Sequence, residues 1–509
     1  MTDSRPSGEA AAKTMLNVGK PALVWRKRVA DTETPVSAAI KLMQAERGDF
    51  ILESVEGGET RGRHSLIGLA PDLIFRAQGN TAEVNDDWQH DRAAFKATPL
   101  PALEALRALA GQCRMDVPEE LPSALACLVG YFGYETVGLV EKLPRAPVSE
   151  LDLPDMLFVR PTVIIVFDRL KDEMFLVAPV WPDDDADAGK LLAAAEERLD
   201  LCERDLARAE DNADGNQPAL PDETSIALNP VLPEGRYAEM VLAAKEYIEA
   251  GDIFQVVLAQ RFTAPFTLPP LDLYRALRRI NPSPFLYFLD LPGFSVIGSS
   301  PEILVRVRDG EVTVRPIAGT RPRGKTASED AANKASLLAD PKERAEHLML
   351  LDLGRNDVGR VARADSIKVT DSYMVEFYSH VMHIVSNVTG ELSPDHDAID
   401  ALFAGFPAGT VSGAPKVRAC EIIAELEPET RGAYAGGVGY FSPNGDMDSC
   451  IVLRTGIVKD GTLHVQAGAG IVADSDPAYE QAECEAKAGA LLAAAKEAVR
   501  VANEAGFGQ

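Results

Sequence analysis

Residues 467–487 have the sequence AGAGIVADSDPAYEQAECEAK, which places a glycine-rich approach before a long helix predicted over 476–499. Glu480 and Glu483 are three residues apart, so their carboxylates share one face of that helix, and Lys487 joins this face one turn later. Glycine has no Cβ, so the approach lets the backbone and a ligand come close together. This stretch is therefore the first candidate for a ligand or metal site.

A second predicted helix, over 336–353, carries another pair of glutamates. Glu343 and Glu346 lie in PKERAEHLMLLDLGRND, residues 341–357, and are again three residues apart. The apolar residues 348–351 do not suit a helix that faces water on most sides. If the two carboxylate-bearing faces meet in a cleft, they provide the hard oxygen ligands that Mg²⁺ requires. Two solvated surface faces are the alternative, and the spacing alone leaves it open.

The segment GTRPRGKT, residues 319–326, matches the phosphate-loop pattern G-x-x-x-x-G-K-[ST]. A phosphate loop binds its ligand through consecutive inward-pointing N–H groups, and Pro322 has no N–H to offer. The acidic Ala-Ser-Glu-Asp that follows also disfavours an anion. We therefore do not predict a nucleotide site here.

Two histidines occur in VEFYSHVMHIVSNVTG, residues 375–390, which we predict to be a strand. The odd separation of His380 and His383 puts their rings on opposite faces of a strand, so they do not share a metal ion. One of them suits a core position with a backbone hydrogen bond, and the other suits a general base. The pattern does not decide between these interpretations.

Arg454 lies in the middle of the apolar segment CIVLRTGIV, residues 450–458. A guanidinium in an apolar strand is costly unless it is paired, and a carboxylate is its best planar partner. That carboxylate belongs either to an internal salt bridge or to a ligand. Tyr434 in GAYAGGVGY and the glycines Gly468 and Gly470 complete this group of candidate contact residues.

Composition narrows the classes of partner. The chain of 509 residues has a formal net charge of −27 and a pI near 4.7. Such an acidic surface repels phosphate backbones and anionic lipids, so we expect no nucleic-acid and no membrane partner. The six cysteines lack C-x-x-C spacing and the first residues lack an apolar signal region, so we expect a reduced, cytoplasmic protein.

Four regions are predicted along the chain. Residues 1–20 form a loose polar arm, and 21–180 alternate short strands with turns. Residues 181–225 contain a helix followed by a polar linker at 210–224. Residues 226–500 mix strands and helices in an α+β manner.

Taken together and in this order, the segments resemble the chorismate-utilising enzymes, and within them most closely the large subunits of anthranilate synthase. The similarity extends over residues 20–495 and implies an α+β, chorismate-binding-type fold of two packed β-sheets with helices on the outside. Its clearest stretches are FQVVLAQRF (254–262), GSSPEIL (298–304), RPIAGTRPRG (315–324), ERAEHLMLLDLGRNDVGRV (343–361), VMHIVSNVTG (381–390), GTVSGAPKVRA (409–419), AGGVGYF (435–441) and AGAGIVADSDPAYEQAECEAK (467–487).

The resemblance implies binding roles for the candidate residues. Mg²⁺, the implied cofactor, is assigned to Glu346 and Glu483, with Glu343 and Glu480 in supporting positions. Arg454 is assigned to the side-chain carboxylate of chorismate. The full set of implied chorismate contacts is Gly319, Thr320, Tyr434, Arg454, Gly468, Ala469, Gly470 and Lys487.

The resemblance also implies catalytic roles. Glu302 protonates the departing ring hydroxyl, and His383 serves the later elimination of pyruvate. Gln255 occupies the position where water-adding relatives have a lysine general base, and Ala318 the position of a nucleophilic lysine in the aminodeoxychorismate branch. Anthranilate synthesis is therefore the expected reaction, with aminodeoxychorismate synthase component I as the alternative. The remaining residues with implied catalytic roles are Thr320 and Lys487.

Regulation and partners follow from the same resemblance. The segments LESVEG (52–57), RHSLIG (63–68) and NPSPFLYF (281–288) resemble a tryptophan-feedback pocket, which makes 21–180 a regulatory region. Turn and sheet-edge positions without a ligand are the alternative. No Gly-Cys-Gly nucleophile elbow is present, so we expect a separate glutamine amidotransferase subunit to supply ammonia. The implied tryptophan contacts are Glu53, Ser54, Pro284, Phe285 and Leu286.

Overall fold

The computed structural model describes residues 7–56, 60–122, 124–183, 186–208, 226–378 and 381–504. In these residues the helices are α1 (Glu9–Leu16), α2 (Pro35–Leu42), α3 (Ala102–Gln112), α4 (Ala188–Leu206), α5 (Arg236–Glu249), α6 (Pro270–Ile280), α7 (Ala327–Ala339), α8 (Pro341–Gly359), α9 (Ala398–Gly405), α10 (Lys416–Leu426) and α11 (Pro477–Asn503). The strands are β1 (Ala22–Val29), β2 (Asp49–Glu56), β3 (Thr60–Leu69), β4 (Leu73–Gln78), β5 (Thr81–Asn85), β6 (Lys96–Ala97), β7 (Leu128–Phe132), β8 (Met156–Arg160), β9 (Val163–Asp168), β10 (Glu173–Val180), β11 (Asn229–Pro230), β12 (Gln255–Pro265), β13 (Phe285–Leu291), β14 (Phe294–Ser300), β15 (Ile303–Arg308), β16 (Glu311–Val314), β17 (Ile317–Pro322), β18 (Lys368–Phe377), β19 (Val381–Glu391), β20 (Gly413–Ala414), β21 (Gly437–Phe441), β22 (Met447–Ile451), β23 (Thr455–Lys459) and β24 (Thr462–Ile471).

The strands form two large antiparallel sheets. The first has the order β1-β10-β9-β3-β2-β13-β14-β23-β24-β12-β11, with β20 paired to β12. The second has the order β17-β19-β16-β15-β22-β21-β7-β8-β4-β5-β6, with β18 paired to β19. Apolar side chains of both sheets join one buried core, while α4 packs on β10 and α11 on β24. The predicted α+β fold of two packed sheets with outer helices is confirmed.

Each sheet contains strands from both halves of the chain. In the first sheet β2 pairs with β13, so that Ser54 lies opposite Phe285, and in the second β7 pairs with β21. The regions predicted at 21–180 and 226–500 therefore share both sheets and are not separate structural domains. Alternating hydrophobicity identifies a strand but not its partner, so the sequence did not reveal this sharing. The predicted linker, 210–224, lies outside the described residues.

The N-terminal segment differs from the loose arm predicted for residues 1–20. Helix α1 forms there, and its Ala12 and Leu16 are buried, four residues apart on one face. Ahead of the helix, the Ser7 backbone N–H donates to the carbonyl oxygen of Trp25 at 2.7 Å. The sequence did not predict this helix, because only two of its apolar residues are buried and polar residues surround them. The segment is therefore anchored on β1.

The single helix predicted over 336–353 is two helices. Helix α7 ends just before Asp340, and α8 begins at Pro341. A proline disfavours helical backbone at the residue before it, and Asp340 instead caps α8 by accepting from the N–H groups of Lys342 and Glu343 at 2.9 and 3.3 Å. This break sets the direction of α8 and thereby the position of its glutamates.

The segment 375–390, predicted as one strand, is a hairpin. It contains the end of β18 and most of β19, and His383 on β19 lies opposite Glu376 on β18. His380 lies outside the described residues, so the predicted relation between the two histidines stays a prediction.

None of the helices in the described part of the chain has the length and apolarity needed to cross a membrane. All six cysteines are buried and free. This agrees with the expectation that the chain has no disulfide framework.

A buried ion pair connects β12 to the segment between α10 and β21. Arg431 Nη2 lies 2.5 Å from Glu427 Oε1, and the guanidinium also donates to the carbonyl oxygens of Val411 and Val257, both at 2.7 Å. Glu427 in turn accepts from the backbone N–H of Ala259 at 2.8 Å. Removing the arginine would leave a buried carboxylate and two carbonyls without a cation.

We therefore expect Arg431→Ala to lower the free energy of unfolding by about 3–5 kcal/mol, because an uncompensated buried charge is costly. Urea unfolding followed by circular dichroism measures the change. The control is Arg355→Ala, which removes an exposed pair with Asp352 (3.0 Å) and should cost less than about 1 kcal/mol. Equal urea midpoints for the two variants would contradict the role given to Arg431.

Candidate active site

The pairing of β12 with β24 brings the first candidate residues together. Gly468 lies opposite Ala259, and Gly470 lies opposite Val257. A Cβ on Gly468 would stand 2.8 Å from the hydroxyl of Tyr434, and one on Gly470 would stand 2.7 Å from Nε2 of Gln255. The absence of these two Cβ atoms lets both polar side chains lie directly on the β24 backbone.

Two glutamates from distant helices interact at this place. Burial raises the pKa of the Glu346 carboxyl, and the negative charges of Glu343 and Glu483 raise it further. A hydrogen bond from Gln255 acts in the opposite direction. The acidic faces of α8 and α11 therefore approach each other beside Gln255, which joins them to the β12–β24 pair.

The other charged groups on these two faces have protein partners. Glu343 on α8 accepts from Arg321 of β17 at 2.8 Å. On α11, Lys487 Nζ lies 2.7 Å from Glu483 Oε1 and donates to the carbonyl oxygen of Gly468 at 2.9 Å. Glu480 is buried on the same helix, and burial raises its pKa. Glu346 and Glu480 are thus the two carboxylates of this group without an ion pair among the described residues, and Glu480 has a hydrogen bond with Ser475.

The chemistry of these donors suits a hard divalent cation. The repulsion that raises the pKa of Glu346 would be relieved by a positive ion between it and Glu483. In the described part of the chain no group of three or more His, Cys, Asp and Glu side chains could hold a metal. Mg²⁺ is commonly held by only one or two protein carboxylates, with substrate oxygens and water as the other ligands. The residues present fit such a site.

His383 is held as a neutral base. Its Nδ1 lies 3.1 Å from the carbonyl oxygen of Gly319 and 3.1 Å from Oγ1 of Thr320. A carbonyl oxygen only accepts, so Nδ1 carries the ring proton and Nε2 keeps its lone pair. Burial lowers the pKa of His383 to about 4, and the positive charge of Arg454 acts in the same direction.

Arg454 is a largely buried cation whose described surroundings contain no ion-pair partner. Burial lowers its pKa, and the Tyr378 hydroxyl opposes this shift only in its ionised form. The residue also has a positive φ of 48°, which is unusual for a side chain of this size. Of the two interpretations that the sequence left open, an internal salt bridge is absent from the described residues. The guanidinium is therefore available to a ligand carboxylate.

Glu302 is held as a protonated acid. Its side chain is 7% exposed, and burial raises its pKa to about 8. The hydroxyl of Thr410 lies 3.1 Å from both carboxyl oxygens. Thr410 was not among the predicted residues, although it lies in the motif GTVSGAPKVRA that contributed to the resemblance.

Tyr378 was also missed, because a tyrosine between two strands carries no chemical signature of its own. Its ring packs edge-on against His383 with the centroids 5.3 Å apart. Glu302 and Arg454 lie within electrostatic range of the same side chain. Tyr378 therefore lies near the base, the acid and the cation of the site.

A cavity of about 420 Å³ lies on the other side of Tyr378. Glu53 contributes to its wall, and although burial favours the protonated form, Arg278 and Arg169 hold the pKa of this carboxyl at about 2. The hydroxyl of Tyr274 donates to the same carboxylate at 2.7 Å. All five residues predicted as effector contacts line this cavity, namely Glu53, Ser54, Pro284, Phe285 and Leu286.

A match over most of the chain identifies the protein family. Residues 49–493 match the family model described as chorismate binding enzyme. The protein therefore belongs to the chorismate-binding enzymes, as the sequence motifs led us to expect.

Within this family the chain groups with component 1 of anthranilate synthase. It is 51% identical over 494 residues to anthranilate synthase component 1 of Cereibacter sphaeroides, covering 96% of this chain and 97% of that protein. The corresponding protein of Acinetobacter calcoaceticus is 44% identical over 494 residues, covering 92% of this chain and 94% of the relative. The crystal structure of anthranilate synthase component I from Streptococcus pneumoniae has a TM-score of 0.74 at 35% identity, covering 91% of this chain and 99% of that one.

The state of His383 can be measured directly. We expect nitrogen-15 NMR of labelled histidines to show a neutral ring with the proton on Nδ1, titrating near pH 4. The folded-state pKa lies below the ordinary 6.5, so the unfolded chain binds the proton first, and this group destabilises the fold as the pH falls from 6.5 to about 4. The variant His383→Gln assigns the signal. A His383 signal that titrates near 6.5 would contradict this description.

Proposed function

We propose that the chain converts chorismate and ammonia to anthranilate and pyruvate, as component 1 of an anthranilate synthase. One observation carries the proposal: a protonated acid, a neutral base and an arginine without an ion pair among the described residues all lie in the neighbourhood of Tyr378. Two successive proton transfers on a substrate with two carboxylates need these three groups.

Substrate binding uses the cations of the site. Arg454 binds the side-chain carboxylate of chorismate in a planar, two-point contact. Tyr434 and the backbone at Gly468 and Gly470 form the surface on which the ring lies. Lys487, already at Gly468, stands near the ring carboxylate.

We further propose that Mg²⁺ is the resident cofactor, held by Glu346 and Glu483 with Glu343 and Glu480 behind them. When bound, Mg²⁺ would supply positive charge that neutralises the ring carboxylate. In addition, its presence would relieve the repulsion between the two ligand carboxylates that the fold brings together.

In the first step ammonia forms a bond to ring carbon 2 while the bond from ring carbon 4 to its hydroxyl breaks. Glu302 gives its proton to that hydroxyl, which leaves as water, and the ammonium group formed at carbon 2 gives up one proton to solvent, from which Glu302 regains its own. The buried position of Glu302 keeps the proton available up to about pH 8. Gln255 has an amide that cannot act as a base, so it does not activate a competing water molecule.

In the second step His383 accepts the proton from ring carbon 2 at Nε2. The carbon–oxygen bond to the enolpyruvyl group breaks, pyruvate leaves after gaining a proton, and the ring becomes aromatic. The hydrogen bond from Nδ1 to Gly319 leaves Nε2 free to accept, which suits His383 to this role. Ala318 offers no nucleophile for the covalent route of the aminodeoxychorismate branch.

Three further features belong to the proposal. A separate glutamine amidotransferase subunit supplies the ammonia, since the relatives are named as component 1. L-tryptophan binds in the cavity at Ser54 and Leu286 and inhibits the enzyme. A cytoplasmic setting agrees with six cysteines that are all free.

Product analysis tests the reaction. Purified chain with chorismate, Mg²⁺ and ammonium should form fluorescent anthranilate, glutamine alone should give almost none, and added tryptophan should suppress the signal. A product identified by chromatography as aminodeoxychorismate would overturn the proposal in favour of the folate-branch enzyme.

The metal site is tested with Glu346→Gln and Glu483→Gln. Each variant should lower turnover by about 100-fold or more, since one anionic ligand is lost. Each should also weaken binding of Mn²⁺, used as a paramagnetic probe, whatever its turnover. The control is Glu485→Gln on the exposed side of α11, which should bind Mn²⁺ like the parent chain. Parent-like Mn²⁺ binding by both variants would place the metal elsewhere.

The raised pKa of Glu302 predicts how the reaction rate falls at alkaline pH. With the rate expressed per concentration of free ammonia, we expect a fall of about tenfold per pH unit above pH 8, as Glu302 loses its proton. The weak residual activity of Glu302→Gln should lack this fall. A parent profile that stays level through pH 9 would remove Glu302 as the acid.

A further inference from the structure

Tyr378 separates the cavity from the active site. It directly follows β18 and is 7% exposed. Its backbone N–H donates to the carbonyl oxygen of Val381 at 2.8 Å, and its own carbonyl accepts from Arg323 at 2.8 Å. The main chain of Tyr378 is thus fixed at both polar groups, and its ring position depends on what the ring touches.

One side of the Tyr378 ring faces His383. The planes of Tyr378 and His383 meet at 69° with centroids 5.3 Å apart, the edge-to-face arrangement that aromatic rings prefer. Among the described residues, the His383 imidazole is otherwise held by hydrogen-bond contacts of Nδ1, at Gly319 and Thr320. A hydrogen bond at one nitrogen permits rotation about that contact, and the ring of Tyr378 restricts this rotation.

The other side of the ring faces the cavity. Tyr378 belongs to the cavity wall together with Ser54 and Leu286. Its hydroxyl donates to Glu376 Oε2 at 3.1 Å, and Glu376 forms an ion pair with Arg315. Glu376 and Arg315 also line the cavity, so a ligand there meets this hydrogen-bonded group directly.

Two further residues of the site lie near the same ring. Arg454 and Glu302 are both within electrostatic range of the Tyr378 side chain. A shift of the tyrosine therefore changes the packing around the base and around the cation that binds the substrate.

We propose that Tyr378 is a positioning residue that orients His383 and transmits occupancy of the cavity to the active site. The inference rests on the proposed function, because it takes tryptophan as the ligand of the cavity. Tryptophan displaces the Tyr378–Glu376–Arg315 group, and His383 and Arg454 lose the arrangement that binds and converts chorismate. By linkage, chorismate weakens tryptophan binding by the same factor.

Two substitutions separate the two parts of this role. Tyr378→Phe keeps the ring against His383 but removes the hydrogen bond to Glu376. Uninhibited turnover should stay within about threefold, while the factor by which tryptophan weakens chorismate binding, typically about 5–150-fold in such systems, should fall towards one. Tryptophan should still bind the free enzyme, as measured by calorimetry.

Tyr378→Leu removes the ring. Turnover to anthranilate should fall by about tenfold or more with little change in KM, and the aminated, non-aromatic intermediate should accumulate. In nitrogen-15 spectra the pKa of His383 should move from about 4 towards 6.5, because its ring loses burial. Tyr378→Phe, which keeps the ring, should resemble the parent chain in turnover, in the absence of the intermediate and in the pKa of His383. The control, Tyr440→Phe, alters another tyrosine of the cavity wall and should leave the linkage factor unchanged.

The outcomes are distinguishable. A parent-like linkage factor in Tyr378→Phe, or a parent-like His383 titration and no intermediate in Tyr378→Leu, would overturn the inference. If the parent chain forms no anthranilate, the proposed function fails instead, and if tryptophan does not bind, the transmission role fails with it. The His383 titration still decides the positioning role in either case.

Discussion

The antiparallel pairing of β12 with β24 is the contact on which the site depends. It sets Gly468 and Gly470 against β12. The side chains of Gln255, at the start of β12, and of Tyr434, before β21, fill the space that side chains on these glycines would occupy. Strand β24 then leads into α11, so the same register places Glu483 relative to Glu346. Since neighbouring residues of a strand face opposite sides, a slip by one residue would turn this surface away from the cleft.

Burial shifts the pKa values of two groups of the site in opposite directions. It raises the pKa of Glu302 to about 8 and lowers that of His383 to about 4, because a low-dielectric surrounding disfavours either charged form. An acid and a base are thus kept in their uncharged, reactive states near neutral pH by one physical cause. Arg454 cannot follow them in this way, since a guanidinium keeps its proton. It therefore retains a charge that no described residue neutralises.

Local patterns in the sequence predicted the acidic faces of α8 and α11, because residues three apart on a helix share a face whatever the rest of the fold does. The glycines of β24 were also recognised from a local property, since a residue without a Cβ lets a ligand approach the backbone. The sharing of both sheets, the break at Asp340 and the contacts of Thr410 and Tyr378 depend on residues far apart in the chain, so spacing did not reveal them. For Arg454 the sequence left two interpretations open, and the structure shows no salt bridge from Arg454 to any of the residues it describes.

The cavity takes Ser54 from β2 and Leu286 from β13, and these neighbouring strands come from opposite sides of the segment once predicted to divide the chain. The cavity is therefore not a detachable module. A replacement in its wall alters a continuous sheet and is constrained by the strand pairing that also joins the two halves of the chain. A hybrid that exchanges the N-terminal third with a relative would need matching strand edges before it could reproduce this cavity.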